Sequence, residues 1–392
     1  MKILEEKLKS FFAKNGKKIT HGEFTICMGN EACDLDSFIS SLIVAYAENI
    51  IHVVPMRKDV FLTKGELTYL CKKFGIDPND LIYLERPTGN FTPAARKVGT
   101  YFLYKDEVYS IHDKQIKLVL TDHNEPIEEL ADCEIEMVID HHRLANNIST
   151  SKRIYIDIDV GSATTLISKY LGDDLTKKVH CFTEVSSLKK DKKRELLCAQ
   201  LAHLLIIPIL IDTNFLRKRT SLFDYIEYRK LKKISGMKKK ELKHEYKEIR
   251  KARKNDSHFD TNLILQKDFK RFKHKGYSFG ASTIKYNFED WIDREASKIA
   301  GLDKNKLGMA LFLELESFKN EQGLDFYYVA TKIKGVRCMI ILDFPFIKEL
   351  VADLDIKKTD YKGMAYYKMD PKITRKVMVP KIMNIINKHY KD

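Results

Sequence analysis

The most informative segment of this chain is Gly29-Asn30-Glu31-Ala32-Cys33-Asp34-Leu35-Asp36-Ser37. It follows the apolar run Phe24–Met28, which predicts a buried strand, and leads into the apolar segment 35–48, which predicts a helix. Asp34 and Asp36 lie two residues apart at this turn, so both side chains can project into one crevice. Either Asp taken alone is equally well explained as a helix N-cap.

Three more apolar runs, residues 117–121, 136–139 and 204–211, lead directly into acidic residues. Apolar runs of this kind are typical of buried parallel strands and of the helices that cover them. Ligands of open α/β sheets bind at the carboxyl edge of the strands, so the side chains there are expected to converge. The residues that end or follow these runs are Asp122, His123, Asp140, His141, His142 and Asp212.

Convergence of this many carboxylates is unfavourable in the absence of cations, because buried like charges repel and raise each other's pKa. Divalent metal ions remove that conflict. Oxygen-rich ligation with one or two imidazoles suits Mg²⁺ or Mn²⁺ better than a thiolate-type zinc site. Two such ions about 3.5–4 Å apart can clamp a phosphoryl group and activate a water molecule.

The order of predicted strands and helices divides the chain into two domains. Strands and helices alternate in the first part, which predicts an α/β domain with a parallel sheet over residues 1–256. A polar cluster at residues 254–258 follows a highly charged helix and indicates the boundary. Residues 257–392 predict a smaller domain of mixed α+β structure.

Composition restricts the class of protein further. The chain has 392 residues, 44% of them hydrophobic and 32% charged, which are ordinary values for a soluble globular protein. The longest apolar stretch, residues 204–211, is far shorter than the ~20 residues of a membrane span. The N-terminal residues lack the pattern of a signal peptide, and the seven cysteines form no C-x-x-C motif. A cytoplasmic protein with reduced cysteines is therefore expected.

The formal net charge of +14 is concentrated in one segment. Residues 217–254 contain 16 Lys and Arg against 5 Asp and Glu, a local net charge of +11. A segment of this kind suits a polyanionic partner such as nucleic acid, an anionic membrane surface or a phosphate polymer. A solvated Lys-rich helix explains the segment taken alone about as well.

In this order, the motifs resemble those of the DHH phosphoesterase superfamily, which is named for the sequence Asp-His-His. The three N-terminal motifs correspond to residues 29–37, 121–125 and 139–142, and the glycine-containing segment that follows them corresponds to residues 160–166. The second domain carries elements similar to the Asp-x-Lys and Arg-Lys elements of family II inorganic pyrophosphatases and their relatives. These elements are Asp268-Phe269-Lys270 and Arg375-Lys376.

The resemblance implies a DHH domain, a second domain, and an active site in the cleft between them with two divalent metal ions, Mg²⁺ or Mn²⁺. The implied metal ligands are Asp34, Asp36, Asp122, His141 and Asp212, with Asp36 or Asp122 bridging. The implied catalytic residues are His142 and Asp122, with His142 contacting a substrate phosphate and helping to protonate the leaving group. The substrate-binding residues on this view are Asn30, His123, His142, Lys270, Arg375 and Lys376.

Three branches of the superfamily share this two-domain plan, and the motifs divide between them. The pyrophosphatases have His where this chain has Asn30, whereas the yeast-type exopolyphosphatases and the prune-type proteins have Asn there. The form Asp122-His123-Asn124-Glu125, in contrast, is pyrophosphatase-like. The chain length and the basic segment 217–254 favour an exopolyphosphatase that releases terminal phosphate from inorganic polyphosphate.

Other functions remain as alternatives. They include a family II-like inorganic pyrophosphatase, a prune-type enzyme acting on short polyphosphates or nucleotide phosphodiesters, and a non-catalytic regulatory binding protein. Nucleic acid is disfavoured as a partner because few aromatic residues, Tyr225, Tyr228 and Tyr246, are interleaved with the basic ones. No membrane partner is expected, and the sequence leaves the oligomeric state open.

Overall fold

The computed structural model describes residues 2–87, 98–144, 153–172, 175, 188–254 and 258–389. The chain forms two compact units, the first extending to Arg253 and the second beginning at Lys254. The domain boundary that the sequence suggests, between residues 256 and 257, lies outside the described residues.

The first unit is built on an eight-stranded sheet with the order β5-β4-β3-β2-β1-β6-β7-β8. All neighbours are parallel except the pairs β3–β4 and β4–β5, which are antiparallel. The predicted parallel α/β sheet is thus confirmed, with an antiparallel hairpin at one edge. The strands are β1 (Glu23–Met28), β2 (Ile51–Val54), β3 (Ile82–Glu85), β4 (Tyr101–Tyr104), β5 (Glu107–Ser110), β6 (Gln115–Thr121), β7 (Glu134–Asp140) and β8 (Arg153–Ile156).

The central strands explain where a ligand site can form. From β1 the chain runs outward through β2 and β3, and it then returns to place β6 on the other side of β1. The carboxyl ends of β1 and β6 therefore flank the switch point of the sheet, where ligands of doubly wound folds bind. Met28, the last residue of β1, and Leu120, the last but one of β6, are buried and paired with each other.

Helices cover this sheet. They are α1 (Lys2–Lys18), α2 (Leu35–Glu48), α3 (Lys58–Leu62), α4 (Gly65–Phe74), α5 (Ala163–Leu171), α6 (Leu188–Asp212), α7 (Leu222–Ser235) and α8 (Lys239–Ala252). Among the described residues, the Lys192–Asp212 part of α6 is long and apolar enough to cross a bilayer by length and composition. It packs against α1, α2, α5, α7 and α8, and helices in the core of soluble proteins share this character.

The second unit contains a six-stranded sheet with the order β13-β14-β12-β11-β10-β9, in which only β10 and β11 are parallel. The strands are β9 (Phe269–His274), β10 (Tyr277–Asn287), β11 (Phe326–Ile333), β12 (Val336–Leu342), β13 (Lys357–Tyr361) and β14 (Met364–Lys368). The helices are α9 (Thr261–Gln266), α10 (Phe288–Ala296), α11 (Gly308–Glu321), α12 (Ile347–Leu354) and α13 (Arg375–His389).

Two hydrophobic clusters hold the second unit together. Trp291 and Phe318 belong to one of them, and Phe279, Phe326 and Ile386 to the other. Phe279 and Tyr327 lie on neighbouring strands of one sheet but belong to different clusters. The sheet is therefore covered on both faces, which confirms the predicted mixed architecture of the C-terminal part.

Candidate metal centre

The turn between β1 and α2 positions the first two carboxylates. Asp34 is the N-cap of α2, and its Oδ1 accepts a hydrogen bond of 3.1 Å from the backbone nitrogen of Ser37. A Cβ atom on Gly29 would lie 2.7 Å from the carbonyl oxygen of Ser37, so the close approach of strand and helix requires glycine there. This approach brings Asp36, in the first turn of α2, to the end of the strand.

Asp36 is held by the beginning of α5. Its carboxylate accepts hydrogen bonds from the Ser162 hydroxyl at 2.7 Å and from the backbone nitrogens of Ala163 and Thr164 at 2.6 and 3.0 Å. A helix N-terminus stabilises negative charge. Burial nevertheless dominates and raises the pKa of Asp36; His141 and Ser162 lower it, whereas the charge of Asp34 raises it further.

Asp122 follows β6 and is buried, with a positive φ of 60° that turns the chain at the end of the strand. Its Oδ2 accepts a hydrogen bond of 2.7 Å from the side-chain amide of Asn30. Its Oδ1 is buried and lies 3.1 Å from Nε2 of His141, so it is bonded only when a proton stands between these two atoms. Burial raises the pKa of Asp122 well above its usual range, and the charges of Asp36 and Asp34 add to this effect.

The two histidines that follow β7 are fixed in orientation by acceptors at Nδ1. Nδ1 of His141 lies 3.0 Å from the carbonyl oxygen of Val160, and Nδ1 of His142 lies 2.8 Å from Oδ1 of Asp140. Both acceptors lack a proton to give, so Nδ1 of each ring carries the hydrogen and Nε2 is the atom that remains to bind a metal or substrate.

Asp140 accepts the hydrogen bonds that hold the turn after β7 in place. It is completely buried, and its carboxylate also accepts hydrogen bonds from the His141 backbone nitrogen at 2.7 Å and from the Asn124 side chain at 2.5 Å. Burial opposes ionisation of Asp140, but the hydrogen bonds from His142 and Asn124 outweigh it and lower its pKa. Asp140 therefore stays ionised, orients the imidazole of His142 and holds the backbone of His141.

The donor atoms of Asp122, His141 and His142 all lie within 4.8 Å of one another. Oδ2 of Asp36 lies 3.9 Å from Nε2 of His141. Since Nδ1 carries the hydrogen of His141, its Nε2 and the Asp122 Oδ1 would otherwise present lone pairs to each other. A proton on one of the two groups or a cation must lie between them, so these residues fit a divalent metal ion.

The charge of the cluster has the same consequence for His141. Burial alone would lower the pKa of His141, but hydrogen bonding to Asp122 and the charges of Asp36 and Asp122 outweigh it and raise that pKa to about 10. Without a cation, the ring is thus held as an imidazolium by its carboxylate neighbours. A metal ion would displace this proton.

Asp34 and Asp212 lie in the electrostatic field of the same cluster. Burial raises the pKa of Asp212 well above its usual range, and the charges of Asp36 and Asp34 raise it further, against the opposing effect of Arg253. Asp212 is the last residue of α6, so the carboxyl end of that helix faces the carboxylates that follow β1. The structure thus brings the five predicted metal ligands into one region.

Two predicted substrate-binding residues of the first unit are engaged by the protein itself. The Asn30 side chain donates to Asp122 and accepts from the backbone nitrogen of Cys33 at 3.1 Å. Nδ1 of His123 lies 2.9 Å from the carbonyl oxygen of Thr121, the last residue of the preceding strand β6. A substrate contact by Asn30 or His123 stays a prediction.

The predicted phosphate-binding residues of the second unit lie on β9 and at the start of α13. The Arg375 guanidinium donates to the carbonyl oxygen of Asp268 at 2.8 Å and to its Oδ1 at 2.9 Å. Lys270 is half-buried on β9, and Lys376 is exposed. The Asp-x-Lys and Arg-Lys elements are thus joined by one ion pair, while the role of these cations in binding phosphate stays a prediction.

Sequence reasoning missed several residues that support the site. Asp140 was placed at the same edge of the sheet from the sequence but without its role of orienting His142, for which its position at the start of the sequence Asp-His-His was a usable signal. Asp224 had none: it is completely buried in the first turn of α7, and its carboxylate accepts hydrogen bonds from Gly161 N at 2.8 Å and Thr165 Oγ1 at 2.5 Å.

Two protein-family models together match most of the chain. Residues 25–209 match the model for the DHH family, N-terminal domain, and residues 247–385 match that for the DHHA2 domain. A Schizosaccharomyces pombe protein described as a "Putative exopolyphosphatase" is 25% identical over 323 residues, which cover 79% of this chain and 73% of that protein.

The fold also resembles a solved structure, that of a Methanococcus jannaschii protein described as a "putative family II inorganic pyrophosphatase". The TM-score is 0.59 at 17% identity, and the alignment covers 92% of this chain and 99% of the other. This likeness concerns the fold alone. The two family matches, together with the ordered motifs, show that the chain belongs to the DHH phosphoesterase superfamily.

Proposed function

We propose that the protein is a metal-dependent exopolyphosphatase that removes the terminal phosphate from inorganic polyphosphate. The single observation that supports it best is the cluster of Asp36, Asp122, His141 and His142 at the switch point of the sheet. Buried carboxylates beside imidazoles whose Nδ1 atoms are held by other acceptors form a donor set for hard divalent cations and their phosphate ligands.

In this proposal the residues that hold two ions, Mg²⁺ or Mn²⁺, are Asp34, Asp36, Asp122, His141 and Asp212. Such ions, when bound, neutralise phosphate charge and supply an activated water molecule. The protein groups around them are preorganised, because Asn30 fixes Asp122 and the start of α5 fixes Asp36. Catalysis of phosphoryl transfer depends mainly on this kind of positioning and charge stabilisation.

His142 is proposed to handle the proton of the leaving group. In the reaction, a water oxygen forms a bond to the terminal phosphorus, and the bond from that phosphorus to the bridging oxygen breaks. The electron pair stays on the bridging oxygen, which takes a proton from Nε2 of His142 in its doubly protonated, imidazolium form, and the proton that the attacking water loses passes to the solvent. Asp140, 2.8 Å from Nδ1, holds the ring with Nε2 available throughout. Arg375, Lys376 and Lys270 are proposed to bind phosphate oxygens of the substrate.

Pyrophosphate is the second candidate substrate. It is favoured by the pyrophosphatase-like sequence Asp122-His123-Asn124-Glu125 and by the likeness of fold to the Methanococcus jannaschii protein. The basic residues of segment 217–254 favour polyphosphate instead, since pyrophosphate is too short to contact more than a few of them. The relative from Schizosaccharomyces pombe points in the same direction.

The experiment that tests the proposal measures phosphate release by the purified protein with Mg²⁺ and, separately, with Mn²⁺. The substrates are long-chain polyphosphate, tripolyphosphate, pyrophosphate, a cyclic nucleotide and a single-stranded oligonucleotide. The blank is the double variant Asp122→Asn, His141→Ala. Turnover of polyphosphate well above that of pyrophosphate supports an exopolyphosphatase. The reverse preference supports a pyrophosphatase, and no metal-dependent turnover would favour a regulatory binding protein.

A further inference from the structure

We propose that a basic groove between the loop after α6, helix α7 and the start of α8 is a binding site for polyphosphate chains, separate from the carboxylates. The inference rests on the proposed function, because it assigns a place to the part of the substrate that is not being cleaved. The groove has a volume of about 500 Å³, and its cationic lining residues are Arg229, Lys232, Lys233 and Lys239.

The spacing of these residues follows from the helix. Tyr225, Arg229, Lys232 and Lys233 are separated by four, three and one residues, which places them on one face of α7. Lys239 is the first residue of α8, across the turn at Gly236. The four cations therefore converge on one groove although they come from two helices.

The groove lacks the negative charge that would balance these cations. None of the residues that line it is Asp or Glu, and none of the four cations forms an ion pair with a residue that the structure describes. Basic residues nearby do have acidic partners: Lys230 pairs with Glu227, and Arg253 pairs with Glu66 at 2.9 Å. An anion is thus the missing counterpart of the groove, and a linear polyanion can contact all four cations at once.

The aromatic residues of the groove favour a phosphate polymer over a nucleic acid. Tyr225 presents about half of its surface, but Tyr228 is only 6% exposed. The ring of Phe215 packs edge-on against Tyr246 at 5.4 Å. Binding of single strands relies on stacking several bases on open ring faces, and this groove provides one such ring.

The groove begins close to the metal centre along the chain. Phe215, at its wall, is three residues after Asp212, and the intervening chain spans at most roughly 11 Å at about 3.6 Å per residue. The backbone of Asn214, Phe215 and Leu216 has positive φ angles of 51°, 60° and 59°, so this connection is a tight turn rather than an extended segment. A polyphosphate with its terminal residue at the carboxylates could therefore enter the groove a few phosphates away.

The test compares two triple variants that remove three positive charges each. The groove variant is Arg229→Gln, Lys232→Gln, Lys233→Gln, and the control variant carries Lys240→Gln, Lys243→Gln, Lys247→Gln in exposed positions of α8 outside the groove. We expect the groove variant to raise KM for long-chain polyphosphate about tenfold or more. Its kcat/KM for tripolyphosphate should stay within about twofold of wild type, as should both values for the control.

Binding is measured separately from hydrolysis. In the Asp122→Asn, His141→Ala background, which does not consume the substrate, long-chain polyphosphate is titrated at several salt concentrations. The plot of log K against log [salt] has a negative slope, and its magnitude should be smaller by about 2 in the groove variant than in the parent protein. Each lost contact to a single-stranded polyanion contributes roughly 0.7. The control charges should change it much less.

The outcomes separate this inference from the proposed function. Equal weakening by the two triple variants would mean a general charge effect and would overturn the groove site, as would tighter binding of an oligonucleotide than of polyphosphate through the groove residues. Hydrolysis of polyphosphate with an unchanged KM in the groove variant would refute the groove alone. Binding through the groove without hydrolysis would support the groove and refute the exopolyphosphatase.

Discussion

The side-chain amide of Asn30, just after β1, donates a hydrogen bond of 2.7 Å to Oδ2 of Asp122, just after β6. This bond crosses the switch point of the sheet and leaves Oδ1 of Asp122 directed toward His141. An imidazole at position 30, as in the pyrophosphatases that this chain resembles, could itself bind a metal. Here the amide instead orients a carboxylate that does so in the proposed site.

Replacing Asn30 should weaken metal binding without unfolding the protein. Asn30→Ala removes the group that fixes Asp122, and loss of a group that orients a ligand typically reduces metal affinity about 10–100-fold. The Mg²⁺ concentration for half-maximal activity should rise accordingly, and Asn30→His should shift the preference toward Mn²⁺. Asn320→Ala, at an exposed position, is the control. An unchanged Mg²⁺ dependence in Asn30→Ala would contradict the positioning role.

Asp224→Asn should reduce both stability and metal affinity. The Asp224 carboxylate accepts hydrogen bonds from Gly161, Thr165 and Ser221. In the variant, the side-chain NH2 group would replace one accepting oxygen and would face these donors. A cost of about 1–3 kcal/mol is expected in the free energy of unfolding. Gly161 directly precedes the turn that donates to Asp36, so the midpoint of metal activation should rise as well.

The matched control for Asp224 is Glu227→Gln on the same helix. Glu227 is bound by Lys230 and by Ser168 and has no role in the turn at Gly161. The Glu227→Gln variant should be somewhat less stable than wild type but keep its metal dependence. If both variants change metal dependence alike, Asp224 acts on stability only.

Removal of divalent metals should lower the thermal midpoint of the wild-type protein. The carboxylates of Asp36 and Asp122, which are buried, and of Asp212, which is half-buried, then repel one another. Saturation with metal at about 100 times Kd stabilises a folded protein by about 2.7 kcal/mol. Differential scanning fluorimetry with EDTA, and after adding back Mg²⁺ or Mn²⁺, measures the effect. The Asp122→Asn, His141→Ala variant should show little shift, and a full shift there would place the metal elsewhere.

Glu245 should make stability depend on pH below about 4.5, its ordinary pKa. Burial opposes ionisation of Glu245, but His203 at 2.7 Å and Lys73 at 2.6 Å outweigh it and lower that pKa. The stabilisation is therefore present above pH 4.5 and is lost as the pH falls through the lowered folded-state pKa.

Glu245→Gln tests this sign. Breaking a buried ion pair by removing one charge costs about 3–5 kcal/mol at neutral pH, and the loss should be at the lower end because Gln keeps the shape. Urea unfolding of wild type and variant should differ at pH 7 and converge as the pH falls below 4. A difference that is constant across this range would exclude ionisation of Glu245 as the cause.

Arg375→Gln should raise KM for tripolyphosphate by about 10–100-fold, because a hydrogen bond between charged groups contributes about 1.5–3 kcal/mol. Asp268 already holds the guanidinium with two hydrogen bonds, so Asp268→Asn should show a smaller increase in the same direction. Lys381→Gln, whose partner is the exposed Asp353, is the control. A normal KM in Arg375→Gln would remove Arg375 from the proposed substrate site.

The sequence could predict those elements that consist of continuous apolar runs. β1, β6 and β7 are such runs because interior parallel strands are buried on both faces, so the acidic residues at their ends could be placed at one edge. The antiparallel strands β4 and β5 were missed because they are four residues long, and three of the four residues of β5 are exposed.

Contacts between residues that lie far apart in the chain could not be predicted from the sequence. The first turn of α7 contains Ser221 and Asp224 in a capping box, which already accounts for an acidic residue at that position. Nothing local indicates that the same carboxylate also holds Gly161, 63 residues earlier. The pair of Arg375 and Asp268 likewise joins two motifs that are 107 residues apart.

Helix α7 carries Asp224 in its first turn and Arg229, Lys232 and Lys233 further along. One rigid element is therefore connected at its beginning to the turn that supports Asp36 and along its length to the proposed polymer groove. A polyphosphate molecule long enough to fill the groove would contact this helix, whereas a short one would not. On the proposed function, long and short substrates would therefore differ in whether they contact the helix that also supports the metal ligands.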